Sequence, residues 1–180
     1  MSLSQFSNED QYITLARITL EEYVATGKTI EIPEGLPEQM TAKKAGVFVS
    51  LKKMGDLRGC IGTIKATTDC IAQEIIQNAI SAGAQDPRFY PVQLDELHEI
   101  VYSVDVLMDA EPIDSIAQLD VKKYGVIVRS GRRTGLLLPN LEGVDTPQYQ
   151  VNIALQKAGI GQNENYTLER FEVIRHGDKK

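Results

Sequence analysis

The sequence predicts an α+β fold: a single domain in which an N-terminal helix precedes two hairpin–helix–strand units, whose strands build a largely antiparallel sheet flanked by helices. Three observations carry this expectation. The chain has 180 residues, 42% hydrophobic and 24% charged, enough for a substantial core and ordinary for a globular protein. Two β-branched segments broken by Gly-containing basic turns, from Gly46 and from Gly125, resemble each other as hairpins. Each is followed by an apolar stripe of helical period and then by a strand pattern, an order that segregates helices from antiparallel strands.

The elements follow in chain order. Ser7-Asn8-Glu9-Asp10 reads as a helix start, with Ser7 as N-cap and acidic side chains in the first turn. Tyr12, Ala16, Leu20, Tyr23 and Val24 recur at helical spacing and Gly27 is a C-cap, giving a helix over 7–27. IEIPEGLPEQM, punctuated by Pro33, Gly35 and Pro37, is an extended surface loop. The first unit, 41–110, holds the hairpin GVFVSLKKMGDLRGCIG, a helix with Ile71, Ile75, Ile76, Ala79 and Ile80 on its apolar stripe, and a strand VYSVDVL. The second, 121–176, holds GVIVRSGRRTGLLLPNL, a helix marked by Tyr149, Ile153, Leu155 and Ala158, and a strand TLERFEVI. Both helices end in Ala-Gly, which predicts left-handed C-caps at Gly83 and Gly159. The hairpins align without a gap at an offset of 79, the separation of Gly46 and Gly125.

Composition also sorts the functions. With net charge −6, binding to nucleic acid through overall charge is disfavoured. Eight of the nineteen Lys and Arg residues nevertheless cluster in two short stretches: Lys52, Lys53 and Arg58, and Lys122, Lys123, Arg129, Arg132 and Arg133. A nucleic-acid- or anion-binding module using these basic hairpins therefore stands as an alternative function. No apolar run reaches membrane-spanning length, and MSLSQFSNEDQ lacks the features of a signal peptide. The expectation is a cytoplasmic protein, not attached to a membrane, with Cys60 and Cys70 as reduced thiols. His98 and His176 are isolated, the latter in a charged tail, so no metal site is expected. No phosphate-binding loop, dinucleotide fingerprint or nucleophile elbow is present, and no cofactor is predicted. The carboxylates of LDELHE read as a solvated face.

The chemistry concentrates where the two units differ. At the offset of 79, Arg58 and Cys60 correspond to Leu137 and Pro139, so the shared scaffold does not demand them. Alternation along a strand places Arg58, Cys60 and Gly62 on one face and Leu57, Gly59 and Ile61 on the other, with Arg58 and Cys60 about 7 Å apart. A guanidinium at that range favours the thiolate, making Cys60 a candidate nucleophile and Arg58 its activator. Gly59 and Gly62 leave room for a substrate beside the sulfur, or mark a bulge. The first unit also carries an insertion after Gly83 containing DPRF. Asp86, Arg88 and Phe89 offer a carboxylate, a cation and a stacking surface to a small polar or anionic substrate. The same residues also fit plainer roles: Cys60 a small buried hydrophobe, Asp86–Arg88 a loop staple, Phe89 a core anchor, Cys70 helix packing.

LRGCIGT at Leu57–Thr63, DPRF at Asp86–Phe89 and the late GLLLP…KAG segment resemble the AMMECR family, and the resemblance covers nearly the whole chain. It implies a single-domain α+β fold with an internal duplication. It also implies that Leu57–Thr63, including Thr63, and Asp86–Phe89 lie in the functional region. Bacterial and archaeal members are grouped with a Memo-like protein and a radical SAM enzyme, which implies such partners and a redox or modification pathway. A protein-interaction subunit is a further alternative. The sequence departs from the family pattern at Asn140-Leu141, where Gln-Val is usual, at Tyr149, near a missing Trp, and at Tyr90, where proline is frequent.

Overall fold

A computed structural model describes residues 9–177 and contains helices and antiparallel sheets, so the α+β class predicted from sequence holds. The described residues divide into two compact units, 9–106 with 175–177 and 107–174.

In the first unit, helix α1 (Gln11–Thr26) starts at Asp10, whose carboxylate accepts from the backbone N–H of Tyr12 at 2.8 Å and of Ile13 at 3.4 Å. Asp10, not Ser7, is the cap beside this helix; Ser7 lies outside the described residues. Gly27 closes the helix at φ 74°, as its position predicts. A short helix α2 (Glu38–Ala42) interrupts the loop that follows. Strands β1 (Val47–Lys53) and β2 (Asp56–Gly62) form the first hairpin, helix α3 (Ile71–Ala84) follows, and β3 (Ile100–Leu107) and β8 (Val173–His176) complete an antiparallel sheet in the order β2-β1-β3-β8. Val47, Val49 and Leu51 alternate inward at 0% exposure against Ile71, Ile75 and Ala79 of α3. The intervening Phe48, Ser50 and Lys52 occupy the opposite, half-buried face.

Three expectations are corrected here. Gly83 does not cap α3 but lies within it, where a Cβ would stand 2.3 Å from Leu20 of α1; the glycine lets the two helices approach. LDELHE forms a 3-10 helix, Leu94–Glu99, that is mostly exposed as a solvated face should be, but one of its carboxylates is drawn in: the Glu96 side chain is only 11% exposed. His176 is not isolated in a tail: it ends β8, stacks on Tyr12 at 3.8 Å between ring centroids, and its Nδ1 lies 2.6 Å from Asp10 Oδ2.

The second unit contains β4 (Glu111–Ile113), β5 (Gly125–Ser130), β6 (Arg133–Leu137), helix α4 (Pro147–Ala158) and β7 (Thr167–Phe171), with sheet order β4-β7-β5-β6. Helix α4 is capped by the Thr146 hydroxyl and closed by Gly159 at φ 69°, as predicted. Its buried face is Gln150, Val151, Ala154 and Leu155; Tyr149, assigned to the apolar stripe, is 51% exposed. Pairing shifts the correspondence of the two hairpins. Lys53 faces Asp56 and Ser130 faces Arg133 across their turns, an offset of 77 rather than 79. Gly59 and Gly135 correspond through their strand partners Leu51 and Val128, the offset falling to 76 after Arg58, and each lies under a helix carbonyl, Ala82 O and Ala154 O. The counterpart of Cys60 is thus Leu136, and Arg58 has none.

Candidate functional site

Arg58 has no counterpart because it is the extra residue of a β-bulge. The register runs Leu51↔Gly59 and then Lys52↔Leu57, leaving Arg58 unmatched and breaking the alternation assumed from sequence. Its side chain is directed not to Cys60 but to Glu96. Nε and Nη2 donate to the two Glu96 oxygens at 2.9 and 3.0 Å, and Nη1 donates to the Tyr90 carbonyl at 2.8 Å. Glu96 also accepts from Gln93 N–H at 2.9 Å, and Lys53 Nζ lies 3.4 Å away. The Arg58 guanidinium, outweighing burial, holds the Glu96 carboxyl down to about 2.

Strand β2 is a sheet edge, and the DPRF insertion covers it. The Cys60 N–H donates to Asp86 Oδ2 at 3.0 Å, and the Cys60 carbonyl accepts from Arg88 Nη2 at 3.1 Å. One carboxylate and one guanidinium thus replace the missing neighbour strand. Asp86 and Arg88 are joined to each other through Nε at 3.0 Å and Nη2 at 2.8 Å, and Phe89 N–H closes the turn onto the Asp86 carbonyl at 3.1 Å. The Arg88 guanidinium beside it, against the opposing effect of burial, brings the Asp86 carboxyl down to about 2. Arg88 also lies 5.4 Å from the Phe89 ring centroid.

Because the polar backbone groups of Cys60 point away from β1, the Ser50–Cys60 pair is of the close, non-hydrogen-bonded kind. Ser50 Oγ accordingly lies 3.2 Å from Cys60 Sγ. The thiol is half-buried, and the Arg88 charge interacts with it electrostatically. Cys70, in contrast, is buried in the core at the start of α3, a packing position. Arg58, Pro87, Arg88, Phe89 and Tyr90 line an open depression of about 600 Å³, with Tyr90 89% exposed; Cys60 is not part of its wall.

The remaining predicted residues serve the scaffold. A Cβ on Gly59 would lie 2.2 Å from Ala82 O, and one on Gly62 within 2.5 Å of three Phe48 ring atoms, so neither glycine leaves open space for a substrate. Thr63 Oγ1 donates to Glu74 Oε1 at 2.7 Å and accepts from Asn78 Nδ2 at 3.2 Å. Glu74 is fully buried and also accepts from the N–H and hydroxyl of both Thr67 and Thr68. Burial raises its carboxyl, and these donors from Thr68, Thr63 and Thr67 more than reverse that, leaving it below the usual range. Glu96, Glu74, Asn78 and Ser50 escaped the sequence reading. Glu74 and Asn78 left a trace there: they fall on the buried stripe of Ile71 and Ile75, where a polar residue needs a partner. Among the described residues no group of three or more His, Cys, Asp or Glu is placed to hold a metal ion.

The basic hairpins are largely neutralised within their own units. Arg129 pairs with Glu169, Arg133 with Glu164, Lys123 with Glu172, and Lys53 with Glu96 and Glu99.

The profile of the AMMECR1 family matches residues 13–176. The chain belongs to the AMMECR1 family. It is 58% identical over 174 residues to a protein of Clostridium acetobutylicum, spanning 96% of this chain but only 37% of that longer protein. A protein of Thermotoga maritima is 50% identical over 170 residues, covering 93% of this chain and 98% of its own length. The crystal structure of an uncharacterized protein from Pyrococcus horikoshii is similar with a TM-score of 0.85 at 32% identity, over 91% of this AMMECR1-family chain and 88% of that one. No helix among the described residues is long and apolar enough to cross a membrane.

Proposed function

We propose that this AMMECR1-family chain is a cytoplasmic enzyme, or an accessory to one, that works through Cys60. The observation that carries this reading is the setting of the thiol: half-exposed, 3.2 Å from the Ser50 hydroxyl, within the field of Arg88, on a strand edge locked by Asp86 and Arg88. Cys60 is the reactive group, and Arg88 favours its thiolate. The depression formed by Arg58, Arg88, Phe89 and Tyr90 holds the polar or anionic portion of a substrate whose reacting portion extends beyond its wall, past Arg88, to Cys60. Arg58 is a positioning residue, holding the insertion through Tyr90 and Glu96. Gly59, Gly62 and Thr63 keep the strand and helix α3 in register.

The proposal takes residues 1–180 as one AMMECR-like domain with an internal duplication, supported by the matching helix-carbonyl contacts of Gly59 and Gly135. The family resemblance supplies its context, a redox or modification pathway with Memo-like and radical SAM partners. The longer Clostridium acetobutylicum relative supports an accessory role, since it joins this module to further polypeptide.

Alkylation by iodoacetamide, followed from about pH 6 to 9 in a Cys70→Ser background, tests the reading. Cys60 is expected to react faster than free cysteine near neutral pH, and more slowly after Arg88→Gln. A rate equal to that of free cysteine across the range overturns it.

A further inference from the structure

A second region of the first unit, built from none of the residues around Cys60, carries a charge pattern that the proposed function does not use. Residues 21–38 contain five glutamates and one lysine, a net charge of −4 out of −6 for the whole chain. Part of this stretch forms a groove of about 590 Å³ between helix α1 and the irregular run after it, lined by Ile18, Glu22, Ile30, Glu31, Ile32, Pro33 and Glu34. Its floor is aliphatic and its rim is acidic. Ile32 is 39% exposed, a β-branched side chain left in water. Neither Glu31 nor Glu34 has an ion-pair partner, and the Glu22 carboxylate meets only the Thr26 hydroxyl, at 3.1 Å. Lys28 is the sole cation in the stretch and does not line the groove.

We infer that this groove docks a basic, apolar-anchored peptide segment of a protein partner, lying extended along residues 30–34. Three features select that occupant. The carboxylates are not clustered for a metal ion, since no metal-binding group of three exists among the described residues. The aliphatic floor gives a free polyamine nothing to bury, whereas a Leu or Val side chain between Ile18, Ile30 and Ile32 removes apolar surface on both sides. A ligand extended over five residues spans roughly 16 Å, so alternate Lys or Arg side chains face the rim of Glu22, Glu31 and Glu34 while the side chains between them face the floor. Unpaired rim carboxylates steer and orient such a ligand, and the apolar contact retains it.

The probe is a fluorescein-labelled octapeptide alternating Lys with Leu and Val, titrated by anisotropy. Saturable binding is expected, weakening from about 50 to 300 mM salt. Affinity is expected to fall roughly ten-fold in Glu31→Lys/Glu34→Lys and in Ile32→Ser, about 1.4 kcal/mol. The exposed pair Glu142→Lys/Asp145→Lys changes net charge equally and is expected to leave binding intact. Circular dichroism confirms that each variant is folded. Equal loss in both double-lysine variants, or an Ala-for-Leu/Val peptide that binds as well as the probe, overturns the proposal in favour of diffuse charge attraction. Complete displacement by spermine at matched charge does the same. Cys60→Ser leaves binding unchanged, so failure here and failure of the thiol reading are separable.

Discussion

At the scale of single residues, Gly59 and Arg58 show how neighbouring positions in one motif do different work. Gly59 is where helix α3 presses its backbone onto strand β2; a methyl group there would stand 2.2 Å from Ala82 O, which cannot rotate away. At Gly62 the nearest atoms belong to the Phe48 ring, a side chain that can shift. Gly59→Ala is therefore expected to destabilise by roughly 2–3 kcal/mol and Gly62→Ala by less, as read from urea unfolding. Equal effects would mean that the helix yields as readily as the ring. Arg58 was legible as a departure from the scaffold, but its role was not. A strand read as strictly alternating sends Arg58 toward the sulfur, whereas the bulge turns it to Glu96.

At the scale of elements, the insertion carrying DPRF and the 3-10 helix is held onto an edge strand by two carboxylates, Asp86 and Glu96. Both titrate near 2 in the folded chain, against ordinary values of 3.8 and 4.5. A folded value below the unfolded one gives stability that is complete above the unfolded value and lost as pH falls toward 2. Their side chains are 2% and 11% exposed, so each is expected to contribute on the order of 2–3 kcal/mol at neutral pH. The urea midpoint should drop between about pH 5 and pH 3, and Asp86→Asn should lower the neutral value while flattening that dependence. An unchanged pH profile in the variant would show that the carboxylate is not the anchor. The hairpins, the apolar stripe of α3 and the caps at Gly27 and Gly159 were all readable, because each depends on residues close in sequence. The false cap at Gly83 and the misplaced stripe of α4 have one cause. Which helical face is buried, and where a glycine is needed, depends on what packs against it.

At the scale of the whole molecule, charge bears on the competing functions. The basic runs that suggested RNA binding are mostly paired with glutamates, while residues 21–38 carry a net charge of −4 in which Glu31 and Glu34 have no ion-pair partner. A single-stranded RNA titration at about 150 mM salt is expected to show no binding that depends on Lys52, Lys53, Arg132 and Arg133. Binding that weakens when those four are neutralised would restore the RNA reading.

From residue order alone came the α+β class, the principal helices and strands, and the family, since periodicity, capping and the LRGCIGT and DPRF motifs are local properties. Only the tertiary structure decided what those motifs touch. Arg58 reaches Glu96 across 38 positions, and Asp86 reaches the Cys60 backbone across 26. The Arg58 contact depends on a one-residue slip in strand pairing that no periodicity records. A side chain's partner is set by register and packing, and these exist only once the chain has folded.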